Sequence, residues 1–533
     1  MAEMDTPIIL EQDQRLSRSG LWKLQRAFFE QQGISAWSEN VIPTYITSKT
    51  FTANAYGKVV LGFLRDWYSV ARNSLDMSQP VYIVELGSGS GHFSYHFLKK
   101  FLDFFTRSAL KEIPIKYIMT EISEELVTFW QNHPSLQPFV EQGFLDFAIF
   151  DVEQPHEFTL RHSGAVLSSA TIKNPLVLVA NYLFDFISQD CFTLQRGQLH
   201  ESLVTFSTSE PELDLGDPAL FASLEVSYAH RRISADYYGD PDFNRVLRSY
   251  EQRLPDTTFT FPHVALSCLR FFRDLSGGRL LLLCGGEGYS QEEDLLDRGT
   301  PSIIMHGSCF SMMLNYHSIG EYVRNQGGLV LCMAHRYTNL YVSAYLLGQH
   351  PDDYLETAQS FHEAIESAGP DDFYMLKSSI EEMYNTLSLQ QLLVYLRLSG
   401  WDSNIFLDCY SVLLEHLKEA SKAEQHELSQ VAQHVWDTYY HIGEEQDLAF
   451  ALGVMLYRME YHSEALDFFQ RSLELYGPDQ STFYNLAMCY SALRRIEEAV
   501  SCLDQALEVY PSFELAKTLR IKLQSQLNRK LPA

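Results

Sequence analysis

Three glycines at alternate positions constrain this chain more than any other feature. An apolar stretch that begins at Val81 runs into Gly87, Gly89 and Gly91 and then into a helical pattern. Glycine lets a backbone turn sharply and approach a ligand without a Cβ atom in the way, and the first turn of a helix offers free N–H groups. The pattern predicts a nucleotide-binding turn, although a purely structural turn could use the same glycines.

The residues around the turn distinguish between two nucleotides. A dinucleotide fingerprint reads Gly-x-Gly-x-x-Gly, whereas this turn reads Glu-x-Gly-x-Gly-x-Gly from Glu85 to Gly91. An acid at the strand end can meet an ammonium group, and the glycines leave room for a methionine tail. The spacing therefore favours S-adenosyl-L-methionine over NAD. A Gly-x-Ser-x-Gly nucleophile turn is not indicated, because Gly89 stands where that motif needs serine.

Composition limits the class of protein and its partners. The chain has 533 residues, which predicts two or three domains, and 68 acidic against 40 basic residues give it a net charge of −28. That charge disfavours nucleic acid and anionic membranes and suits a protein partner with a basic segment. The eight cysteines form no Cys-x-x-Cys pair, and no apolar run reaches the roughly 18 residues of a membrane span. We expect a soluble cytoplasmic protein in a reducing compartment, without a cleaved targeting signal, and the oligomeric state stays open.

Short apolar strands alternate with helices after the glycine turn. Further strands are predicted at residues 115–120, 147–150, 176–180, 279–284 and 328–333, so that the sheet would close near residue 340. This alternation predicts a parallel sheet with helices on both faces. Glu85, Glu121, Asp151 and Asn181 each fall at the carboxyl end of a strand, where such sheets bind ligands. We therefore expect the four side chains to meet in one crevice.

A repeat of 34 residues occupies the end of the chain. Ala465 and Ala499 lie 34 residues apart, and the residues around them match in the same register: Leu452, Gly453, Phe469 and Leu473 against Leu486, Ala487, Leu503 and Leu507. This period is typical of tetratricopeptide (TPR) helix pairs. Because two repeats cannot bury a solenoid core alone, Ala432, Trp436 and Tyr439 are predicted to belong to an earlier degenerate unit, and residues 513–527 to a capping helix.

The predicted fold class is α/β, a Rossmann-like methyltransferase sheet with an inserted lobe, followed by an all-α TPR-like domain. The predicted divisions are an N-terminal helical, substrate-side segment at 1–75, a methyltransferase domain at 76–345 with an insertion at about 207–261, a helical linker domain at 346–444 and TPR-like repeats at 445–533.

Two further motifs resemble a known family. Glu121, Ser123 and Leu126 keep the pattern Glu-x-Ser-x-x-Leu, and Ala180, Asn181 and Asp185 keep most of the pattern Ala-Asn-Glu-x-x-Asp. Together with the glycine turn, they resemble the MidA-like S-adenosyl-L-methionine-dependent methyltransferases. That family includes the mitochondrial complex I assembly factor that methylates an arginine. The resemblance spans roughly residues 40 to 340, including Tyr45–Ser48 and Tyr56–Gly57, and does not reach the repeats.

The cofactor-binding residues implied are Glu85, Gly87, Ser88, Gly89, Gly91, Glu121, Ile122, Asp151 and Asn181. Glu121 would accept hydrogen bonds from the ribose hydroxyls and Asp151 from the adenine amino group. Glu85 and the glycine backbone would hold the methionine end.

The predicted catalytic residues are Asp185, Asn181 and Tyr182. Methyl transfer needs an aligned nucleophile, so Asp185 would orient or deprotonate the methyl acceptor with Asn181 beside it. Tyr182 departs from the family, which usually has Glu there, and would either stack on a substrate or pack beneath the inserted lobe. Cys309 and Asn315 also stand where family members tend to carry aspartates. Losing acids weakens the inference to arginine, so arginine, another protein nitrogen and a small molecule all remain as acceptors.

Four other polar residues could serve a metal or a substrate, but structural roles are favoured for them. His92 and His96 lie four residues apart on the predicted helix, but no third ligand is apparent, so no metal site is predicted. Glu287 and His317 lie late in the predicted domain, where a substrate could be met, but loop or core roles are favoured for both.

Two functions follow from the sequence. The first is a methyltransferase whose TPR-like tail recruits a protein substrate or partner. The alternative is a weak or inactive member that serves as an interaction scaffold or assembly factor, which the change at Tyr182 and the helical third of the chain would favour.

Overall fold

The computed structural model describes residues 8–39, 41–42, 50–70, 75–209, 223–306, 309–334 and 340–530. The chain divides into two compact units, Met1–Met375 and Leu376–Ala533, called unit 1 and unit 2 below. No helix within the described ranges is long and apolar enough to cross a membrane. All eight cysteines are free thiols, and seven of them are buried. The segment Tyr45–Ser48 of the family resemblance lies outside the described residues.

The strands of unit 1 are, in chain order, β1 (Ile8–Arg15), β2 (Val81–Glu85), β3 (Ile115–Glu121), β4 (Leu145–Ile149), β5 (Phe158–Thr159), β6 (Val166–Leu167), β7 (Leu176–Asn181), β8 (Asp190–Gln195), β9 (Gln198–Thr208), β10 (Leu224–Arg232), β11 (Thr257–Phe261), β12 (Leu280–Gly286), β13 (Gly288–Tyr289), β14 (Ile303–His306), β15 (Cys309–Met312), β16 (Leu314–Asn315), β17 (Leu329–Cys332) and β18 (Tyr341–Leu347).

The helices are α1 (Gly20–Gln32), α2 (Ser35–Ser38), α3 (Thr50–Val70), α4 (His92–Phe105), α5 (Glu124–Asn132), α6 (Gln137–Glu141), α7 (Pro241–Arg253), α8 (His263–Leu275), α9 (Tyr316–Asn325), α10 (Leu355–Phe361), α11 (Pro370–Glu381), α12 (Leu389–Leu398), α13 (Ser403–His416), α14 (Lys422–Thr438), α15 (Leu448–Arg458), α16 (His462–Tyr476), α17 (Gln480–Ala492), α18 (Ile496–Val509) and α19 (Glu514–Lys530).

A seven-stranded sheet forms the centre of unit 1, in the order β17-β18-β12-β7-β2-β3-β4. The five strands from β12 to β4 are parallel to one another. Every residue of β2 and β12 is buried, which is why these strands read as continuous apolar runs rather than alternating ones. The α/β fold class is confirmed, and the parallel strands bring their carboxyl ends to one edge of the sheet.

The end of this sheet differs from the prediction. The strand predicted at 328–333 is present as β17, but the sheet does not close near residue 340. β18 follows at Tyr341–Leu347 and lies between β12 and β17, antiparallel to both. A seven-residue apolar run of this kind cannot be distinguished from a buried helical segment by periodicity alone, so its sequence did not identify it as a strand.

A second sheet holds the inserted lobe. It runs β1-β9-β8-β11, and β10 also pairs with β9. The predicted insertion at 207–261 contains the end of β9, then β10, α7 and β11. β1 joins this sheet from the far N-terminal end of the described chain, which local sequence patterns could not reveal.

Unit 2 is helical throughout its described part. The repeat pairs are α15 with α16 and α17 with α18, and α19 follows where the capping helix is predicted. Ala465 and Ala499 are fully buried at equivalent positions of α16 and α18. A Cβ atom on Gly453 would lie 2.8 Å from the ring of Phe469, so the small residue there lets the two helices approach closely. Trp436 of α14 packs against Phe468 at a ring separation of 5.6 Å.

Candidate functional site

The alternate glycines are required by the backbone itself. Gly87, Gly89 and Gly91 have φ values of +65°, +52° and +85°, in the left-handed region that favours glycine. A Cβ atom on Gly87 would lie 2.8 Å from Leu183 Cδ1, and one on Gly89 would lie 2.8 Å from Trp37 Cζ2. The turn therefore combines a left-handed backbone with close neighbours, and Gly91 forms the N-cap of α4.

A cavity of about 360 Å³ lies at the carboxyl ends of the parallel strands, and we call it the strand-end cavity. The predicted residues that line it are Glu85, Gly87, Ser88, Gly89, Glu121, Ile122, Asp151, Asn181, Tyr182 and Asp185. Gly91 is the one predicted site residue outside this lining, and it is the N-cap of helix α4. Four strand ends and the turn thus converge, as their positions in the chain predict.

Glu85 lies at the end of β2 with 3% of its surface exposed. Its Oε2 accepts hydrogen bonds from the hydroxyl of Tyr117 at 2.8 Å and from that of Ser94. Burial raises the pKa of Glu85 to about 7 despite these bonds. The carboxyl group therefore changes charge near neutral pH and would be ionised fully by a neighbouring cation.

The carboxylate of Glu121 is hydrogen-bonded by backbone groups, unlike that of Glu85. Its carboxylate accepts the backbone N–H of Ile122 at 2.9 Å and that of Gly89 at 3.3 Å, so it ties β3 to the glycine turn. Burial nevertheless raises its pKa above the usual range. A carboxylate has about four lone-pair positions, which leaves acceptor capacity toward the cavity.

Asp151 follows β4 and forms an ion pair that the sequence did not reveal. The guanidinium of Arg26 on α1 donates to Asp151 Oδ2 at 2.9 Å, and the backbone N–H of Glu153 donates to Oδ1 at 2.9 Å. Burial alone would lower the pKa of Arg26, but its bonds to Asp151 and Glu30 raise it above the usual value. The first helix is therefore linked to the strand end that carries Asp151.

Residues of helices α1 and α2 also line the cavity. These helices contribute mainly aromatic side chains to the lining, namely Trp22, Phe29 and Trp37. Gln25 holds α1 in place, because its amide donates to the carbonyl oxygens of Phe186 at 3.0 Å and Phe310 at 2.7 Å. The sequence predicted a substrate-side helical segment here without identifying these residues.

Asp185 and Glu287 form an acidic pair at the other end of the cavity. Asp185 is 1% exposed, its Oδ2 accepts the backbone N–H of Glu287 at 3.4 Å, and burial raises its pKa to about 7. Asp185 Oδ1 and Glu287 Oε2 are both buried and accept no hydrogen bond from any described residue. Glu287 lies between β12 and β13, and its side chain lines the cavity.

Tyr182 and Asn181 lie beside that pair. Tyr182 has a left-handed backbone with φ of +49°, and its N–H donates to the carbonyl oxygen of Gly285 at 2.6 Å. Burial, with added repulsion from Asp185, holds the pKa of the Tyr182 hydroxyl well above its usual range. Asn181 Oδ1 accepts the hydroxyl of Tyr56 at 3.3 Å. A bulky residue with positive φ is an outlier of the kind that concentrates at functional sites.

The glycine-rich turn after β12 makes room for this arrangement. A Cβ atom on Gly286 would lie 2.8 Å from the hydroxyl of Tyr316 and 3.0 Å from Asp185 Oδ2. The turn also carries Glu287 into the cavity, 102 residues after Asp185 in the chain. In the sequence, the glycines at the end of this second strand were the pattern that could have identified the segment as part of the site.

Several other candidates lie away from the cavity. Cys309 and Asn315 are buried outside its lining, and Asn315 caps helix α9 by accepting the N–H of Ser318 at 3.0 Å. His317 accepts or shares a hydrogen bond with the Tyr250 hydroxyl at 2.8 Å. Across the described part of the chain, no group of three or more His, Cys, Asp or Glu residues is placed to hold a metal ion.

Comparisons with known proteins agree with the fold and the repeats. Residues 63–281 match the family model described as "Putative S-adenosyl-L-methionine-dependent methyltransferase", and residues 448–512 match a tetratricopeptide repeat model. No curated protein matches the sequence.

Three solved structures are among those similar to this chain. Two are structures of COG1565 superfamily members from Burkholderia thailandensis, one bound to S-adenosyl-homocysteine and one native. Each is 12% identical and covers 64% of this chain and 95% of that one, with TM-scores of 0.35 and 0.33. The third is the TPR protein YrrB, 21% identical, covering 32% of this chain and 84% of that one, with a TM-score of 0.23.

The family match confirms the predicted cofactor, S-adenosyl-L-methionine, and the repeat match confirms the predicted TPR region. The chain therefore combines an α/β segment that matches the methyltransferase family model with a segment near its C-terminal end that matches the tetratricopeptide repeat model.

Proposed function

We propose that unit 1 transfers a methyl group from S-adenosyl-L-methionine to a basic nitrogen in the strand-end cavity. One observation carries the proposal: every predicted cofactor residue except Gly91 lines the same cavity as the Asp185–Glu287 pair. Glu85, Glu121 and Asp151 would hold the cofactor, and Asp185 and Glu287 would receive the acceptor. The finer assignment to MidA-like enzymes belongs to this proposal and rests on Glu121 and on the Asn181–Asp185 segment.

The residues present fit the cofactor. The left-handed turn leaves the space that Cβ atoms on Gly87 and Gly89 would fill. Glu121 keeps free acceptor positions for ribose hydroxyls, and Glu85 offers a buried carboxyl group to an ammonium group. When bound, S-adenosyl-L-methionine supplies a methyl group activated by its sulfonium charge.

The protein's part in the reaction is to position the acceptor and take its proton. A nitrogen that carries a proton cannot act as a nucleophile until that proton leaves. Asp185 can accept it, because a pKa of about 7 keeps its carboxyl group poised between the two charge states. Glu287 would hold the positive charge of the incoming group through its buried Oε2. Alignment of the nucleophile would supply most of the remaining acceleration.

Tyr182 bears on the alternative of an inactive scaffold. Its replacement of a family glutamate removes a carboxylate from the cavity, which would favour that alternative. Glu287 offers a carboxylate at the same end of the cavity from a different segment. This compensation is why we favour the enzyme.

Unit 2 would recruit a protein that carries the acceptor. The first helices of the two repeats present half-buried apolar side chains at helical spacing, namely Phe450, Val454 and Tyr457 on α15 and Tyr484 and Met488 on α17. The concave side of such repeats suits a peptide or helix. The excess of acidic residues in the chain favours a basic partner segment.

The test is transfer of a labelled methyl group to proteins of a cell lysate by the full chain. We expect labelled protein with the wild type and at least about 100-fold slower labelling with Asp185→Asn, while both bind the cofactor. The variant Tyr457→Ala/Tyr484→Ala should lose protein labelling but keep cofactor binding. Label found only on small molecules would reject the protein acceptor, and no label at all with intact cofactor binding would favour the scaffold.

A further inference from the structure

The second sheet of unit 1 has two long outer strands, β1 and β10. Both pair with β9, and Ser207 of β9 pairs with Ile9 on one side and with Glu225 on the other, so β1 and β10 occupy opposite edges. Within the described ranges, neither strand has a partner on its outer edge. An open edge presents unpaired N–H and C=O groups, and it is a template for another strand.

The two edges differ in regularity. β1 shifts register between Ile9 and Glu11 and again between Glu11 and Gln14, and bulges of this kind bend an edge away from further pairing. β10 pairs with β9 without interruption over nine residues, from Leu224 to Arg232. All nine are exposed or half-exposed. Of the two edges, β10 is therefore the one suited to pair with another strand.

We propose that β10 pairs with β10 of a second copy of this chain, antiparallel, about a two-fold axis at Tyr228. Tyr228 is the middle residue of the strand, so this register pairs all nine residues with nine of the partner. It also places opposite residues on the same face of the sheet, as side-chain alternation requires. The two five-stranded sheets would become one continuous sheet, with the self-complementary contact of a two-fold dimer.

Charge complementarity selects this partner and this register. Glu225 would lie opposite the partner's Arg231, and the symmetry repeats the pair. Glu225 forms no ion pair with any described residue. Arg231 donates to Glu201 but remains 62% exposed, and its five N–H donors leave capacity for a second acid. Charged residues usually keep other strands from an edge, but opposite charges at symmetric positions favour pairing.

The other face of the strand supports the same register. Tyr228 would lie opposite the partner's Tyr228, and Val226, which is 37% exposed, opposite the partner's His230. Tyr228 and Leu224 already pack on a small core that includes Leu16 and Phe206. Aromatic pairs across neighbouring strands add stability, so pairing would extend this core.

Sedimentation of the full chain over a range of concentrations tests the proposal. We expect a dimer, and we expect Glu225→Arg to raise its dissociation constant roughly tenfold, because two attractive pairs become repulsive. Arg231→Glu should do the same, whereas an equimolar mixture of the two variants should form heterodimers, because the pairs are then restored. S-adenosyl-L-methionine binding should be unchanged in Glu225→Arg, which checks that the variant is folded.

Disulfide trapping tests the register without depending on charge. Tyr228→Cys should form an intermolecular disulfide on mild oxidation, because residues at the axis of antiparallel strands have Cα atoms about 4.5–5.5 Å apart. Val226→Cys is the matched control, since its symmetry mate would lie four residues further along, about 13 Å away. A monomer at all concentrations, a dimer that neither charge variant weakens, or a disulfide at position 226 but not 228 would overturn the proposal. Pairing of β10 with a peptide of another protein instead of a second copy would also appear as a monomer.

Discussion

The two ends of the strand-end cavity differ in how their carboxylates are hydrogen-bonded. At the cofactor end, Glu85 accepts hydrogen bonds from two hydroxyl groups and Glu121 accepts them from two backbone N–H groups. Asp151 forms an ion pair with a guanidinium group. At the other end, Asp185 Oδ1 and Glu287 Oε2 are buried without a hydrogen-bond donor among the described residues.

The difference in hydrogen bonding favours a different kind of ligand at each end. Acids fixed by protein donors hold their geometry and suit a ligand that is always the same. Buried carboxylate oxygens without donors are unfavourable by themselves, since an unmet buried acceptor costs about 1–3 kcal/mol, and a ligand that brings donors or positive charge relieves that cost. The contrast supports the proposal that the cofactor binds at the first end and the acceptor at the second.

The largest effect is expected from Asp185→Asn. Removing the proton acceptor should lower kcat by about 10²–10⁴ while cofactor affinity changes little. In the wild type, kcat should rise with pH and level off above about 7, because Asp185 accepts a proton only when it is ionised. That rise should be absent from the residual activity of the variant. A pH–rate profile of both proteins checks this, and an equal rise in the variant would exclude Asp185 as the titrating group.

A clash in the glycine turn should act mainly on the cofactor end. Gly89→Ala places a Cβ atom against Trp37 and should weaken cofactor binding by about 100-fold, a loss of roughly 2.7 kcal/mol. Gly143→Ala is the matched control, because Gly143 has φ of +81° but nothing within 4 Å of the added atom. Calorimetry measures both. If Gly89→Ala binds the cofactor as tightly as Gly143→Ala, the clash with Trp37 does not disturb the cofactor end.

The acceptor end should respond to Glu287→Gln with a change in KM. Losing a charge-assisted hydrogen bond of about 1.5–3 kcal/mol should raise KM for the acceptor about 10–100-fold and affect cofactor affinity little. Glu293→Gln, an exposed acid nearby, is the control. If Glu287→Gln lost as much affinity for the cofactor as for the acceptor, the two ends of the cavity would not bind their ligands separately.

The smallest effect is a change in the pH dependence of stability. Folding raises the pKa of Glu85 from 4.5 to about 7, so the folded protein holds the proton more tightly than the unfolded chain. Its contribution to stability is therefore full below about pH 4.5 and is lost as pH rises through about 7. Glu85→Gln should remove up to about 1.4 kcal/mol per pH unit of that slope. Urea unfolding at several pH values measures how the free energy of unfolding changes with pH. The same slope in the wild type and in Glu85→Gln would contradict the raised pKa of Glu85.

The sequence predicted those parts of the site that are encoded locally. The glycine turn and the acids after β2, β3 and β4 each lie within a few residues of a recognisable strand, so their spacing carried the information. Glu287, Arg26 and Trp37 reach the cavity only through folding of distant segments, and no local pattern distinguishes them from surface or core residues. The antiparallel strand β18 was missed for a related reason, because its place in the sheet depends on pairing rather than on its own sequence.

Calorimetric titration of the full chain with S-adenosyl-L-methionine, beside the variant Glu121→Ala, measures whether the strand-end cavity binds the cofactor. We expect one binding site in the wild type and at least tenfold weaker binding in the variant, which lacks the proposed ribose acceptor. Glu141→Ala, an exposed acid at the end of α6, should bind like the wild type. No binding by the wild type, or equal binding by Glu121→Ala, would contradict the claim that the strand-end cavity holds the cofactor in this way.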